Sequence, residues 1–359
     1  MTISADSETQ AAPRLDSFIR EQLAEAARLW LTRGGTRLQF EIANRTVELR
    51  CISGPPSKDF FMVLEHAKRM EPLHVPQSVV YLLDAAASRT APPPSTWIFP
   101  DETLQDSQRV CWRPEAGLAL VSDDSRGIWH LFDLHTKTGL YWLRSASELP
   151  AWEYGSPLRH FVHWTALAGG QGMVHAAAIA RNGVGVLLAG RGGSGKSTMT
   201  AAAIASGWET VGDDFVIVEA SDGPVAYPIF DIMKLTGMAE GLYRDAVNRA
   251  VNPARAPDEK ALIPITALAG DRFVPRVPIK ALLAMRLSGA QNSAITPCTR
   301  VDALAALAPS TMNILRTAMP ETLAFCGALM RQVPAYTLNV GTDPNEGLRV
   351  LDAFLEELR

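Results

Sequence analysis

The sequence predicts an α/β protein with a phosphate-loop core and a smaller N-terminal mixed α/β domain. Three observations carry this. A buried-strand pattern, Val184-Gly185-Val186-Leu187-Leu188-Ala189, runs straight into a glycine-rich turn and then an alanine-rich helix. From Val174 onward, segments of strand type alternate with segments of helical type, as expected when helices cover a sheet. The 359 residues also exceed the usual size of one compact domain.

Along the chain, residues 1–13 are polar and read as a disordered tail. Arg14 to Leu31 has helical spacing, with Phe18, Leu23, Ala26 and Leu29 on one face. Arg37 to Ile42 and Thr46 to Cys51 alternate apolar and polar around Ala43-Asn44-Arg45, a hairpin pattern. Pro92-Pro93-Pro94 is a stiff extended break. Val110 to Trp112, Leu118 to Val121 and Ile128 to Asp133 read as further strands, which makes 14–150 one domain, a candidate for substrate recognition. A helix from Pro157 to Ala168 leads into a second domain, 151–359. Within it the glycine-rich turn is followed by a helix from Thr198 to Ser206, with Gly207 as its stop, and the strand Trp208 to Val211. A short helix is expected from Val301 to Leu307. The segment 345–359 puts Leu348, Leu351, Leu355 and Leu358 on one helical face, which fits a helix docked on the core.

Composition narrows the partners. Hydrophobic residues make up 47%, charged residues 20%, and the formal net charge is −4. With no basic run, electrostatics do not point to nucleic acid. No apolar segment reaches membrane-spanning length. Cys51, Cys111, Cys298 and Cys326 are scattered, without C-x-x-C spacing, so they read as reduced thiols. The N-terminal MTISADSETQAAP has no apolar stretch of the kind secretory signals carry. The expected localisation is cytoplasmic.

The turn itself is Gly190-Arg191-Gly192-Gly193-Ser194-Gly195-Lys196-Ser197-Thr198, which fits G-x-x-x-x-G-K-[ST] at every fixed position. In that motif glycines let backbone N–H groups turn inward around a phosphate, and the following helix N-terminus favours the anion. Lys196 is placed to reach the β- and γ-phosphates, and the Ser197 hydroxyl to ligate Mg2+. A dinucleotide turn fits less well, because G-x-G-x-x-G has no use for the Lys-Ser pair.

Asp213, in Gly212-Asp213-Asp214, comes seventeen residues after Lys196. One helix and one strand fill that interval, so the two carboxylates fall at the carboxyl end of a strand, where α/β sheets bind ligands. One can take a hydroxyl proton while the other holds metal or water. Asp123-Asp124, in contrast, reads as a plain turn. His175 sits in Val174-His-Ala-Ala, either a core histidine or a residue brought close to the γ-phosphate. Lys234 and Lys260 are single lysines, which solvent exposure alone would explain, and Asp231 is a second metal ligand or a turn residue. Leu287-Ser-Gly-Ala-Gln291 mimics the signature of ABC ATPases, but no strand ending in acidic residues follows it, so that family is rejected.

The order His175-Ala-Ala, Gly-Val-Leu-Leu-Ala-Gly190, Gly-Ser-Gly-Lys196-Ser-Thr, Ser-Gly-Trp, Gly-Asp213-Asp214 resembles the HPr kinase/phosphorylase-like group, a P-loop branch related to phosphoenolpyruvate carboxykinase. The segments around Lys234, Lys260 and Ala308-Pro-Ser-Thr311 are similar to the relatives of that group found in bacterial biosynthetic clusters. The resemblance implies the core fold of an HPr kinase C-terminal domain, ATP and Mg2+ as cofactors, and transfer to a serine on a small protein or peptide. It implies Asp213 as the acid/base, His175 and Lys196 at the phosphate site, Ser197 and Asp214 as metal ligands, and Lys234 and Lys260 in nucleotide binding. The Glu-Ile-Arg-Gly-like segment of true HPr kinases is absent, so HPr and phosphorylase activity are not implied. A nucleotide-binding regulator with slow hydrolysis and a small-molecule kinase are the alternatives. Neither nucleic acid nor membrane is expected as a partner, and homo-oligomerisation is left open.

Overall fold

The computed structural model describes residues 5–52, 54, 60–71, 75–90, 104–105, 108–221 and 223–359. The expected Pro92–Pro94 break and residues 1–4 of the expected tail lie outside them. Two compact units form: Met1–Met62, Ala67–Ala168 and Leu315–Ala318 make one, and Val63–His66, Gly169–Ile314 and Met319–Arg359 the other. The boundary therefore falls at 168/169, with a short segment of each run of chain belonging to the other unit. Trp164 Nε1 donates to Thr317 Oγ1 at 2.9 Å within the first unit, and Asp231 N–H donates to the Val63 carbonyl at 2.7 Å within the second. Among the described residues no helix is long and apolar enough to cross a membrane.

The first unit is an eight-stranded sheet. Its strands are β1 (Gly35–Ile42), β2 (Arg45–Ile52), β3 (Ser78–Asp84), β4 (Leu104–Gln105), β5 (Gln108–Arg113), β6 (Leu118–Asp123), β7 (Ile128–Asp133) and β8 (Thr138–Leu143), in the order β1-β2-β3-β8-β7-β6-β5-β4. The β1–β2 hairpin turns through Ala43 and Asn44, both in the left-handed region (φ 49° and 63°) that a two-residue turn matched to strand twist requires. β6 and β7 are buried along their whole length, so both faces of the sheet are covered. On one face lies the helix Ala5–Arg33, which begins nine residues before the expected Arg14 because Ala, Glu and Gln continue its helical propensity. Its Phe18, Leu23, Ala26 and Leu29 pack with Trp129, Leu131, Leu140 and Trp142. On the other face lies the helix Arg159–Ala168, with the Trp164 ring stacked on Phe132 at 5.6 Å. Asp123 caps its own turn, accepting from Ser125 Oγ and Arg126 N–H.

The second unit holds a nine-stranded mixed sheet and a two-stranded one. Its strands are β9 (Gln171–Val174), β10 (Ala176–Arg181), β11 (Val184–Ala189), β12 (Glu209–Gly212), β13 (Val216–Glu219), β14 (Val225–Pro228), β15 (Met233–Leu235), β16 (Ala261–Ile263), β17 (Val277–Leu287), β18 (Ala294–Pro297) and β19 (Ala335–Val340). The strict strand–helix alternation expected from the sequence is not found. β10–β11 is an antiparallel hairpin, and only β11–β17 and β17–β19 pair in parallel. The cause is local: Asn182 and Gly183 both take left-handed conformations (φ 52° and 80°) and fold the chain back on itself.

The expected short helix Val301–Leu307 is the front half of Arg300–Leu315, which continues through Pro309. A further helix, Met319–Gln332, was not expected. Burial of Leu307, Ala308, Thr311 and Leu315 outweighs the one N–H that the proline removes. The last helix, Pro344–Glu357, starts on an Asp343 cap and buries Leu348, Leu351 and Leu355 in a cluster that includes Met199 and Ala202 of the helix after the glycine-rich loop.

Candidate functional site

Strand directions assemble the site. β10 runs antiparallel to both β11 and β12, with Ala176 opposite Ala189 and Ala178 opposite Gly212. The start of β10 and the ends of β11 and β12 therefore share one edge. That edge gathers His175, just before β10, the loop that begins at Gly190, after β11, and Asp213, after β12. A register shift between Ala178 and Ile179 interrupts the β10–β12 pairing. It is held by Thr210, whose hydroxyl donates to the Ala178 carbonyl at 2.8 Å and accepts from Gly212 N–H at 3.1 Å. Bulges of this kind re-aim the residues that follow.

The loop has the conformations that its glycines permit. Gly193 and Gly195 are left-handed (φ 79° and 93°), and a Cβ on Gly192 or Gly193 would meet nothing within 4 Å. A Cβ on Gly190 would fall 2.6 Å from Ser194 Oγ, a buried hydroxyl with no hydrogen-bond partner among the described residues. Arg191 and Gly192 are exposed, while Ser197 and Thr198 are half-buried. Gly195 precedes the helix Lys196–Ala205, so free N–H groups of its first turn open on this loop. The helix starts two residues before the expected Thr198 and ends at Ala205, with the expected stop Gly207 two residues beyond and itself left-handed (φ 83°). Lys196 is buried and its ammonium donates to the Gly190 carbonyl at 2.8 Å and the Arg191 carbonyl at 3.3 Å. Burial lowers the proton affinity of Lys196 and Lys260 pushes the same way, against Asp213 and Asp214. Lys260, on an exposed stretch before β16, is thus near enough for its charge to be felt.

The two carboxylates sit in different surroundings. Asp213 is 2% exposed; its Oδ2 accepts from the backbone N–H of Lys234 at 3.2 Å, and its Oδ1 is buried with no partner of hydrogen-bond geometry among the described residues. Burial and then the charge of Asp214 raise its proton affinity, against the Ser197 hydroxyl and Lys196. Asp214 is gripped at both oxygens. His175 Nε2 lies 3.0 Å from Oδ1 and the Lys234 ammonium donates to Oδ2 at 2.7 Å. Burial opposes the Asp214 charge, but Lys234 and His175 overcome it and hold the carboxyl far below the usual carboxylate range. Paired carboxylates pushed apart in this way divide into a proton carrier and a permanent anion.

Lys234 gets there through β15. Met233 and Leu235 are fully buried, in a cluster that includes Ala201 and Ile204 of the loop helix, and alternation along the strand sends the lysine to the other side. His175 is fixed by its backbone: its N–H donates to Thr311 Oγ1 at 3.0 Å, and the Thr311 hydroxyl donates to the Leu307 carbonyl at 2.9 Å. The Phe215 ring lies 5.4 Å from the imidazole. The anchoring function of Thr311, 136 residues from His175, has no local signature. Asp231 accepts from Thr266 N–H at 2.8 Å and from the Thr266 hydroxyl.

His175, Lys196, Ser197, Asp213, Asp214 and Lys234 thus form one connected group. Among the described residues no cluster of three His, Cys, Asp or Glu side chains is placed to hold a metal. The Ser197 hydroxyl, at the start of the loop helix beside Asp213, suits one position of a Mg2+ ion whose other ligands are waters and substrate phosphates.

No family model matches the chain, and no curated protein matches it. Among solved structures it is similar to the Hpr(Ser) kinase/phosphatase from Coxiella burnetii, at 12% identity and a TM-score of 0.30, over 52% of this chain and 97% of that one.

Proposed function

We propose that the protein transfers the γ-phosphoryl group of ATP to a hydroxyl, and that the acceptor is a serine on a small protein or peptide. The observation that carries the reading is the convergence of a glycine-rich loop, its lysine and two differently held carboxylates at one sheet edge. Phosphoryl transfer asks mainly for positioning and charge stabilisation. Loop N–H groups and the helix N-terminus bind the phosphates, and Lys196 moves from the loop carbonyls onto the β- and γ-oxygens. Ser197 holds Mg2+, which when bound neutralises charge on the phosphate oxygens. Asp213 takes the proton of the attacking hydroxyl: among the described residues its Oδ1 has no partner of hydrogen-bond geometry, and its raised proton affinity suits a base. Asp214, locked to Lys234 and His175, fixes the local field and keeps Asp213 in place. The peptide acceptor follows from the likeness of the motif order to HPr kinase-like proteins.

The test is transfer of labelled phosphate from ATP by the full chain, with Mg2+, to a panel of serine-containing peptides and small proteins and to hydroxylated metabolites. Phosphoserine on a polypeptide is the expected product. Phosphorylation of metabolites alone would make the protein a small-molecule kinase. Nucleotide binding with slow hydrolysis and no transfer would make it a nucleotide-binding regulator.

A further inference from the structure

Lys234 stands where metal-assisted chemistry puts a cation. Its ammonium is 2.7 Å from Asp214 Oδ2, and the other oxygen of that carboxylate is taken by His175 at 3.0 Å. The Lys234 and Asp214 side chains are only 12% and 21% exposed, so water competes weakly for the pair. The same residue is tied to the second carboxylate by its backbone, through Asp213 Oδ2. The clamp is built into the sheet, because the neighbours of Lys234 in β15 are buried in the core on the opposite side. Two adjacent carboxylates beside a phosphate loop would ordinarily offer two metal positions. Here one is closed, and no third acidic or histidine ligand completes a second position among the described residues.

We propose that Lys234 replaces a second divalent cation: with His175 it withdraws Asp214 from metal binding, so the site works with one metal ion, held at Ser197 and the substrate phosphates. This rests on the ATP-dependent reading above and departs from the sequence expectation of Asp214 as a metal ligand. The lysine delivers a fixed positive charge without exchange or concentration dependence, which a metal bound weakly at Asp214 could not.

The experiment is titration of the full chain with Mn2+, alone and with a non-hydrolysable ATP analogue, read by electron paramagnetic resonance of free Mn2+. Wild type should bind one nucleotide-dependent ion. Asp214→Asn should bind one as well, within about threefold of the wild-type affinity, since no metal contact is lost. Lys234→Met frees Oδ2 and should admit a second, weaker ion; circular dichroism establishes that this variant is folded, and Asp214→Asn tests the inference independently of it. Two ions in wild type, or a loss of more than tenfold in Mn2+ affinity in Asp214→Asn, overturns the inference while leaving the nucleotide reading intact. Absence of any nucleotide-dependent ion in wild type overturns both.

Discussion

The side chains of His175 and Asp214 meet at 3.0 Å although 39 residues separate them in the chain. Two strand ends make the contact, since β10 begins where β12 finishes. The contact matters because it uses the Asp214 oxygen that Lys234 leaves open. Among the described residues, Asp213 Oδ1 is thereby the oxygen of the pair left without a partner of hydrogen-bond geometry.

Replacing Asp213 should therefore separate chemistry from binding. Asp213→Asn keeps the shape and the acceptor for the Lys234 N–H but removes the proton acceptor. Phosphoryl transfer should drop by about 10²–10⁴-fold, the usual range for loss of a general base. Calorimetry with Mg-ATP should show affinity within about threefold of wild type, under 0.7 kcal/mol. Transfer at the parent rate would remove Asp213 from this role.

Lys196 makes the complementary case. Among the described residues its ammonium has only the Gly190 and Arg191 carbonyls as hydrogen-bond acceptors, so the charge is available to an incoming phosphate. Lys196→Ala should weaken Mg-ATP binding by at least about tenfold, or 1.4 kcal/mol. Equal affinities by calorimetry would show that the loop does not bind nucleotide through this lysine.

Much of the second unit could be read locally. The loop motif and β11 are contiguous, and the last helix declares itself through leucines at helical spacing. The hairpin between β10 and β11 was also legible, since Asn182-Gly183 is a strong turn signal between two apolar runs. The ties of Lys234 to both aspartates, and of Thr311 to His175, are of another kind. They join residues 20 to 136 positions apart through tertiary packing, and a single sequence carries no periodicity for them. The exchange of residues 63–66 and 315–318 between units is equally invisible, because each segment is assigned by the contacts it makes after folding.

The first unit should be sensitive to acid. His130, His160 and His163 are at most 2% exposed, near the buried ion pair of Glu153 and Arg159. Burial lowers the proton affinity of all three histidines, His163 to about 4 and His160 well below its ordinary value. Burial works against the Glu153 charge, but Arg159, His130 and Tyr141 outweigh it and pull its carboxyl down to about 2. As pH falls below about 6.5, unfolded histidines take up protons that the folded ones refuse. Each such proton costs about 1.4 kcal/mol of stability per pH unit. The Glu153 contribution is present above its unfolded value and is lost on further descent toward pH 2. Seven of the eight tryptophans lie at or before Trp164, so tryptophan fluorescence reports mainly on this unit. Its melting temperature should fall steadily from pH 7 to 4, and His163→Leu should flatten the slope. A melting temperature independent of pH over that range would show that these histidines titrate normally.

Gly185 gives a test of how the strand beneath the loop is seated. It lies in β11 opposite Ile279 of β17, with ordinary backbone angles, so its importance is one of space and not of conformation. A Cβ built there would sit 2.1 Å from Val277 Cγ1 and 2.5 Å from the Pro278 carbonyl oxygen. Val277 is in the core and Pro278 O is backbone, so neither can yield without moving β17. Overpacking of this sort costs typically about 1–3 kcal/mol. For a unit of this size that corresponds to a loss of roughly 2–4 °C in melting temperature per kcal/mol. Gly185→Ala should therefore melt several degrees below wild type, read by calorimetry. Because β17 also reaches the loop, where a Cβ on Gly190 would fall 3.1 Å from the Met285 carbonyl, Mg-ATP affinity should weaken in the same variant. Gly183→Ala is the control: its Cβ meets nothing within 4 Å, so it tests left-handed backbone alone and should lower the melting temperature while leaving nucleotide affinity unchanged. If Gly185→Ala melts with wild type, β11 and β17 are not packed as closely as the structure has them.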